Sequence, residues 1–169
     1  MSVPFPEPTD PARSRAEVFL RYLDFFRSRV IDKVTAMPAA ELSRSRLPSG
    51  WTPLELVKHL RQVERRWLEW GFEGTDVGDP WADRRDGRWY VAPDETLASL
   101  AAELQAQAAR TRAIVGSHPL EAAGQPGERW DGAPPATLER VLFHLLQEYA
   151  RHAGHLDIVT ELATGGTGE

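Results

Sequence analysis

Residues 135–162 read PATLERVLFHLLQEYARHAGHLDIVTEL, and the periodicity of this stretch decides the fold. Leu138, Val141, Leu142, Leu145, Tyr149, Leu156 and Val159 recur at the spacing of a single helical face, with charged and polar residues filling the rest. Pro135 to Thr137 supply a helix start, and the TGGTGE that follows at 164–169 supplies a glycine-rich end. A helix this long with one apolar stripe must bury that stripe against other helices or a sheet.

Working outward, the rest of the chain offers helices. Residues 13–37 carry Val18, Tyr22, Phe25, Phe26, Val30 and Val34 at helical spacing, and Pro38 ends the run. After the polar connection ELSRSRLPSGW comes a strong start signal. Thr52 is placed as N-cap, Pro53 takes the first helical position, and Glu55 closes a capping box for a second helix reaching about Phe72. A third opens at Pro93 and Asp94, places Leu97, Leu100, Leu104 and Ile114 on one side, and stops at Gly116. No stretch alternates convincingly as a strand, so the expectation is an all-α four-helix bundle.

Two connections stand out. The long one between helices two and three, residues 74–93, is rich in Gly, Asp and Pro yet holds Trp81, Trp89 and Tyr90. Aromatics in a long loop predict that it packs back on the bundle or covers a site. The other, residues 117–134, holds Trp130.

Composition bounds the function. A chain of 169 residues, 41% hydrophobic and 27% charged, is expected to form one domain over 1–169 with flexible ends at about 1–10 and 164–169. A net charge of −5 argues against nucleic-acid binding, which needs a concentrated basic surface. Arg61, Arg65 and Arg66 do cluster, but with glutamates interleaved, the pattern of a solvated helix face. No run is long enough to span a bilayer, and the start MSVPFPEPTDPARSR lacks the order of a secretory signal, so a cytoplasmic location and no membrane partner are expected. The absence of cysteine removes thiolate ligands and a cysteine nucleophile, so sulfur chemistry here requires an external thiol.

The chemistry-bearing residues lie on the last helix. His144, Glu148, His152 and His155 follow one another at i, i+4, i+8 and i+11 along a slowly turning stripe. On a helical wheel at about 100° per residue, His152 falls inside the apolar sector and Glu148 on its border. His155 and His144 lie progressively further toward the polar side. An i, i+4 pair stands roughly 6 Å apart along the axis and can reach a single ion. A core-facing glutamate is the more informative member, because a buried carboxylate is costly unless paired, protonated or metal-bound.

On the second helix His59 sits at the edge of the apolar sector beside Val63 and Trp70, which makes it the candidate third ligand. Two histidines and a carboxylate form a ligand set of catalytic zinc and non-haem iron sites. Each residue also has a plainer reading. A histidine at an apolar edge is more often a hydrogen-bonded core residue, and Glu148 pairs as readily with Arg151 or Arg140. No HExxH, Glu-x-x-His, phosphate-binding glycine loop or serine nucleophile motif is present.

GWTPLELVKHLRQVERRW and, far downstream, TLERVLFHLLQEYARHAGHLDIVTEL resemble the DinB-like superfamily, in the branch of mycothiol-dependent maleylpyruvate isomerase and mycothiol S-transferases. That resemblance implies a divalent metal held by the histidine of VKHL, His59, and by the glutamate and terminal histidine of QEYARH, Glu148 and His152. It further implies a low-molecular-weight thiol as cosubstrate, activated by the metal for attack on an electrophile. Zinc is the first expectation, with nickel, manganese or iron as alternatives. Hydrolysis or thiol-dependent isomerisation at the same site, and a non-enzymatic dimeric stress-response bundle, are the competing functions. A homodimer is expected in each case. Arg66, about two turns after His59, is a candidate for an anionic group of the cosubstrate, against a salt bridge with Glu69 or a loop aspartate.

Overall fold

The computed structural model describes residues 3–167, so the outermost residues of both expected flexible ends lie outside it. Ser14 accepts a hydrogen bond from Glu17 N–H to start α1, Arg15–Ala36, which ends before Pro38. The connection that follows is less irregular than its polar sequence suggests. A single turn, α2 (Ala39–Leu42), forms there, and Glu41 in it receives two hydrogen bonds from Arg46, at 2.5 and 2.7 Å.

Thr52 and Glu55 form the expected capping box at the head of α3, Pro53–Glu64, with Pro53 in the first turn. Such a cap contributes about 1 kcal/mol and fixes where the helix begins. From Arg65 to Phe72 the helix continues as a π-helix, in which Glu73 N–H donates to the Leu68 carbonyl five residues back at 2.9 Å. A wheel at 3.6 residues per turn fails beyond Arg65 for that reason. Arg66 and Leu68 turn inward, while Trp67 and Trp70 are only partly buried.

The 74–93 connection contains a small hairpin, β1 (Arg84–Arg85) and β2 (Arg88–Trp89), which the sequence reading did not anticipate. Asp86 and Gly87 form its turn with φ of 53° and 75°, the left-handed pair that a two-residue hairpin requires. α4, Leu97–Ser117, begins three residues later than the Asp94 start, because Thr96 rather than Asp94 caps it by exchanging bonds with Ser99. α5, Leu138–Thr164, is capped by Thr137 and ends at Gly165, whose φ of 74° is the left-handed stop that glycine adopts freely.

The result is an all-α four-helix bundle of α1, the joined α3 and π-helix, α4 and α5. Most extensively, α1 packs along α5 and α3 along α4. Leu23, Val30, Leu56, Leu60, Leu104, Ile114, Leu142 and Leu156 are at most 1% exposed. Each such side chain stabilises the fold by about 1.5–3 kcal/mol through removal from water. At the N-terminal end Phe5 meets Tyr22 and Phe25 edge-on, with centroids 5.8 and 5.1 Å away.

A buried polar cluster ties the four long helices together. Glu64 of α3 is fully buried and receives both Nε and Nη2 of Arg27 (α1) at 2.7 Å. Thr111 (α4) and Tyr149 (α5) donate hydroxyl hydrogen bonds to the same carboxylate at 2.5 Å each. With every donor matched, this ion pair avoids the desolvation cost that an incomplete one would carry.

Candidate metal centre

His59 projects from the middle of α3, and Glu148 and His152 project one turn apart from α5. Their candidate ligand atoms all lie within 4.8 Å of one another. His152 Nε2 is 3.3 Å and His59 Nε2 4.0 Å from Glu148 Oε2. The two histidines are 6% and 5% exposed, so the group sits at the inner wall of the bundle. Among the described residues, Glu148 pairs with neither Arg140 nor Arg151, and its charged partners are His59, His144 and His152.

His59 is oriented from outside the cluster. Its Nδ1 lies 2.8 Å from Asp83 Oδ2, which assigns the ring hydrogen to Nδ1 and leaves the Nε2 lone pair facing Glu148. Asp83 is in turn gripped by Arg66, whose Nη1 donates to Oδ1 at 2.6 Å and Nη2 to Oδ2 at 3.3 Å. A carboxylate behind a histidine is the usual means of fixing the ring and raising its basicity toward an ion.

The 74–93 loop therefore packs back on the bundle and covers the site. Trp89 stacks on the His59 ring at 4.1 Å and 22°, and its centroid is 5.4 Å from that of His152. The loop also corrects the reading of the arginine cluster as a solvated face. Arg66 is 3% exposed because Asp83 and the Pro80 carbonyl come down onto it, and Arg65 donates to the Val77 carbonyl at 2.7 Å. Of the two readings of Arg66, the structure has the salt bridge to a loop aspartate.

Electrostatics prepare Glu148 and His152 for a cation. Hydrogen bonding from His152 holds the Glu148 carboxyl well below the usual carboxylate range despite its partial burial. Burial lowers the His152 pKa, although Glu148 offsets part of the effect. An ionised carboxylate beside an imidazole that burial disfavours from charging is the protonation state that metal ligation demands. His152 Nδ1, moreover, is buried without a hydrogen-bond partner, so the protein does not satisfy this ring by itself. Two nitrogens and one carboxylate oxygen fit a divalent ion and leave coordination positions open.

The other histidines flank the cluster. His144 Nε2 is 3.8 Å from Glu148 Oε1, and its ring lies 4.3 Å from that of Trp67. His155 lies 5.5 Å from His152 and 6.5 Å from Trp51, centroid to centroid. Trp67 and His144 form part of the wall of an open groove of about 630 Å³, shared with Phe19, Val141 and Phe143. Asp83 was missed in the sequence, where nothing distinguishes it from Asp76, Asp79 or Asp86 of the same loop.

Residues 18–165 match the sequence profile of the mycothiol-S-transferase family. The chain belongs to that family. Both elements that build the cluster, α3 and α5, fall within the matched span. Among curated protein sequences none matches the chain significantly. A solved structure of a conserved Enterococcus faecalis protein superposes with a TM-score of 0.65 at 17% identity, covering 92% of this chain and 100% of that one. At that identity the likeness speaks for the bundle fold alone. Family membership and a cluster able to chelate a metal support metal-dependent enzymatic activity in general terms. Among the described residues, no helix is long and apolar enough to cross a membrane.

Proposed function

We propose that the chain is a divalent-metal-dependent S-transferase of a low-molecular-weight, mycothiol-like thiol, with His59, Glu148 and His152 as the metal ligands. The observation that carries this is the convergence of those three side chains, from two helices, in a member of a mycothiol-S-transferase family. Zinc suits the nitrogen and oxygen donors, with nickel, manganese or iron as alternatives. We place the protein in the cytoplasm, as one domain that pairs into a homodimer.

Bound there, the ion would coordinate the sulfur of the thiol and favour its thiolate, the nucleophilic form. The chain's own residues do the rest. Asp83, braced by Arg66, keeps His59 Nε2 directed at the site, and Trp89 shields the His59 face from water. In the substitution, sulfur forms a bond to the electrophilic carbon, the leaving group departs with its bonding pair, and the thiol proton passes to solvent.

The test is elemental analysis of protein purified without a histidine tag, followed by conjugation assays with small thiols. Stoichiometric divalent metal and thiol-dependent turnover are expected. Metal content unchanged in His152→Ala would remove the ligand assignment, and turnover that proceeds without thiol would make water the nucleophile.

A further inference from the structure

Beside the site lies an arginine that forms no ion pair among the described residues. Arg129 belongs to the short turn Glu128–Trp130, which Asp131 terminates in the left-handed region at φ 50°. Trp130 locks this turn by donating Nε1–H to the Gln125 carbonyl at 2.8 Å, and Gln125 N–H donates to the Phe72 carbonyl at 2.8 Å. From there the Arg129 side chain runs across Gly71 of the π-helix. A Cβ at Gly71 would stand 3.2 Å from Arg129 Cγ, so the missing side chain makes room for it.

The guanidinium spreads over the Trp67 ring at 3.7 Å from its centroid. Among the described residues, Arg129 forms no ion pair and no side-chain hydrogen bond, and its Nε is buried without a partner. Arg65 and Arg66 nearby are engaged with loop acceptors. Burial, and then the charge of Arg66, disfavour the Arg129 cation further. A ring face offers a cation attraction but no acceptor for its N–H donors. A half-buried, positioned guanidinium whose Nε has no partner is suited to receive an anion.

We propose that Arg129 is an anion-recognition residue of the site and binds a carboxylate carried by one of the two reacting molecules. The connection to the reacting centre runs through side chains already described. The ring that Arg129 covers also contacts His144, and His144 faces Glu148. The carboxylate therefore stands apart from the reacting atom. This rests on the thiol-transfer reading of the site and supplies its substrate class. The carboxylate belongs either to the thiol or to the electrophile.

Titration calorimetry on the metal-replete protein separates the two sources. N-acetylcysteine is compared with its amide, and 4-chloro-3-nitrobenzoate with its methyl ester, each alone so that no turnover occurs. In one pair the acid is expected to bind at least tenfold tighter than the neutral form. Arg129→Gln abolishes that preference, Arg129→Lys keeps part of it, and Arg112→Gln, remote from the site, leaves it intact. Preference within the thiol pair assigns the carboxylate to the thiol, and preference within the other assigns it to the electrophile. No acid preference in either pair, or one that survives Arg129→Gln, overturns the proposal. Loss of metal or of thiol conjugation would instead strike the thiol-transfer reading, and metal content measured on the same samples keeps the two failures apart.

Discussion

Glu64 and Glu148 are both carboxylates on the inner faces of the bundle, and their surroundings differ in one decisive respect. Glu64 is fully buried and saturated by Arg27, Thr111 and Tyr149 at 2.5 to 2.7 Å. Among the described residues, the charged partners of Glu148 are imidazoles, at 3.3 to 4.0 Å, one of which keeps a buried nitrogen without a partner. A saturated carboxylate fastens helices together and has no capacity left for a ligand. An unsaturated one, held ionised among imidazole nitrogens, has that capacity at the cost of local stability.

The comparison can be broken most directly at its structural half. Glu64→Ala leaves Arg27 buried without its principal partner, and about 3–5 kcal/mol of unfolding free energy should be lost in urea titration. A loss under about 1 kcal/mol would mean the cluster is no more than a surface-grade ion pair.

At the other half, free metal at a hundredfold its dissociation constant should stabilise the wild type by about 2.7 kcal/mol over chelator-treated protein. His152→Ala should show no difference between the two conditions, and a retained difference would place the ion elsewhere. Asp83→Asn sharpens the comparison by testing how His59 is oriented. Competition with a chromogenic chelator should show metal affinity reduced about tenfold to a hundredfold, and unchanged affinity would make the Asp83 contact a packing detail. The smallest effect is expected at His155, which faces Trp51 and His152 from outside the three-residue group. His155→Gln should leave metal stoichiometry within error of wild type, and a clear drop would add a ligand.

Helix periodicity made the bundle and the cluster legible in advance. His152 inside the apolar sector of α5, Glu148 at its border and His59 at the edge of the α3 sector are local consequences of residue order, and the structure brings those residues together. The wheel lost its hold at Arg65, where the helix widens into π geometry and carries Arg66 inward. Nor did spacing say which loop aspartate would reach His59, because a partner that arrives from 24 residues away depends on how the loop folds back.

Residue order by itself determined the four long helices, the start of one at Thr52 and of another at Pro135 to Thr137, and which faces carry the histidines and Glu148. These depend on interactions within a few residues, which repeat along the chain and are readable from it. Tertiary structure alone decided that Glu64 is saturated while Glu148 is not, that Asp83 and Trp89 close over His59, and that Arg129 meets no acid among the described residues. Each of these depends on groups far apart in sequence competing for the same few positions, and only the packed bundle settles which of them arrives.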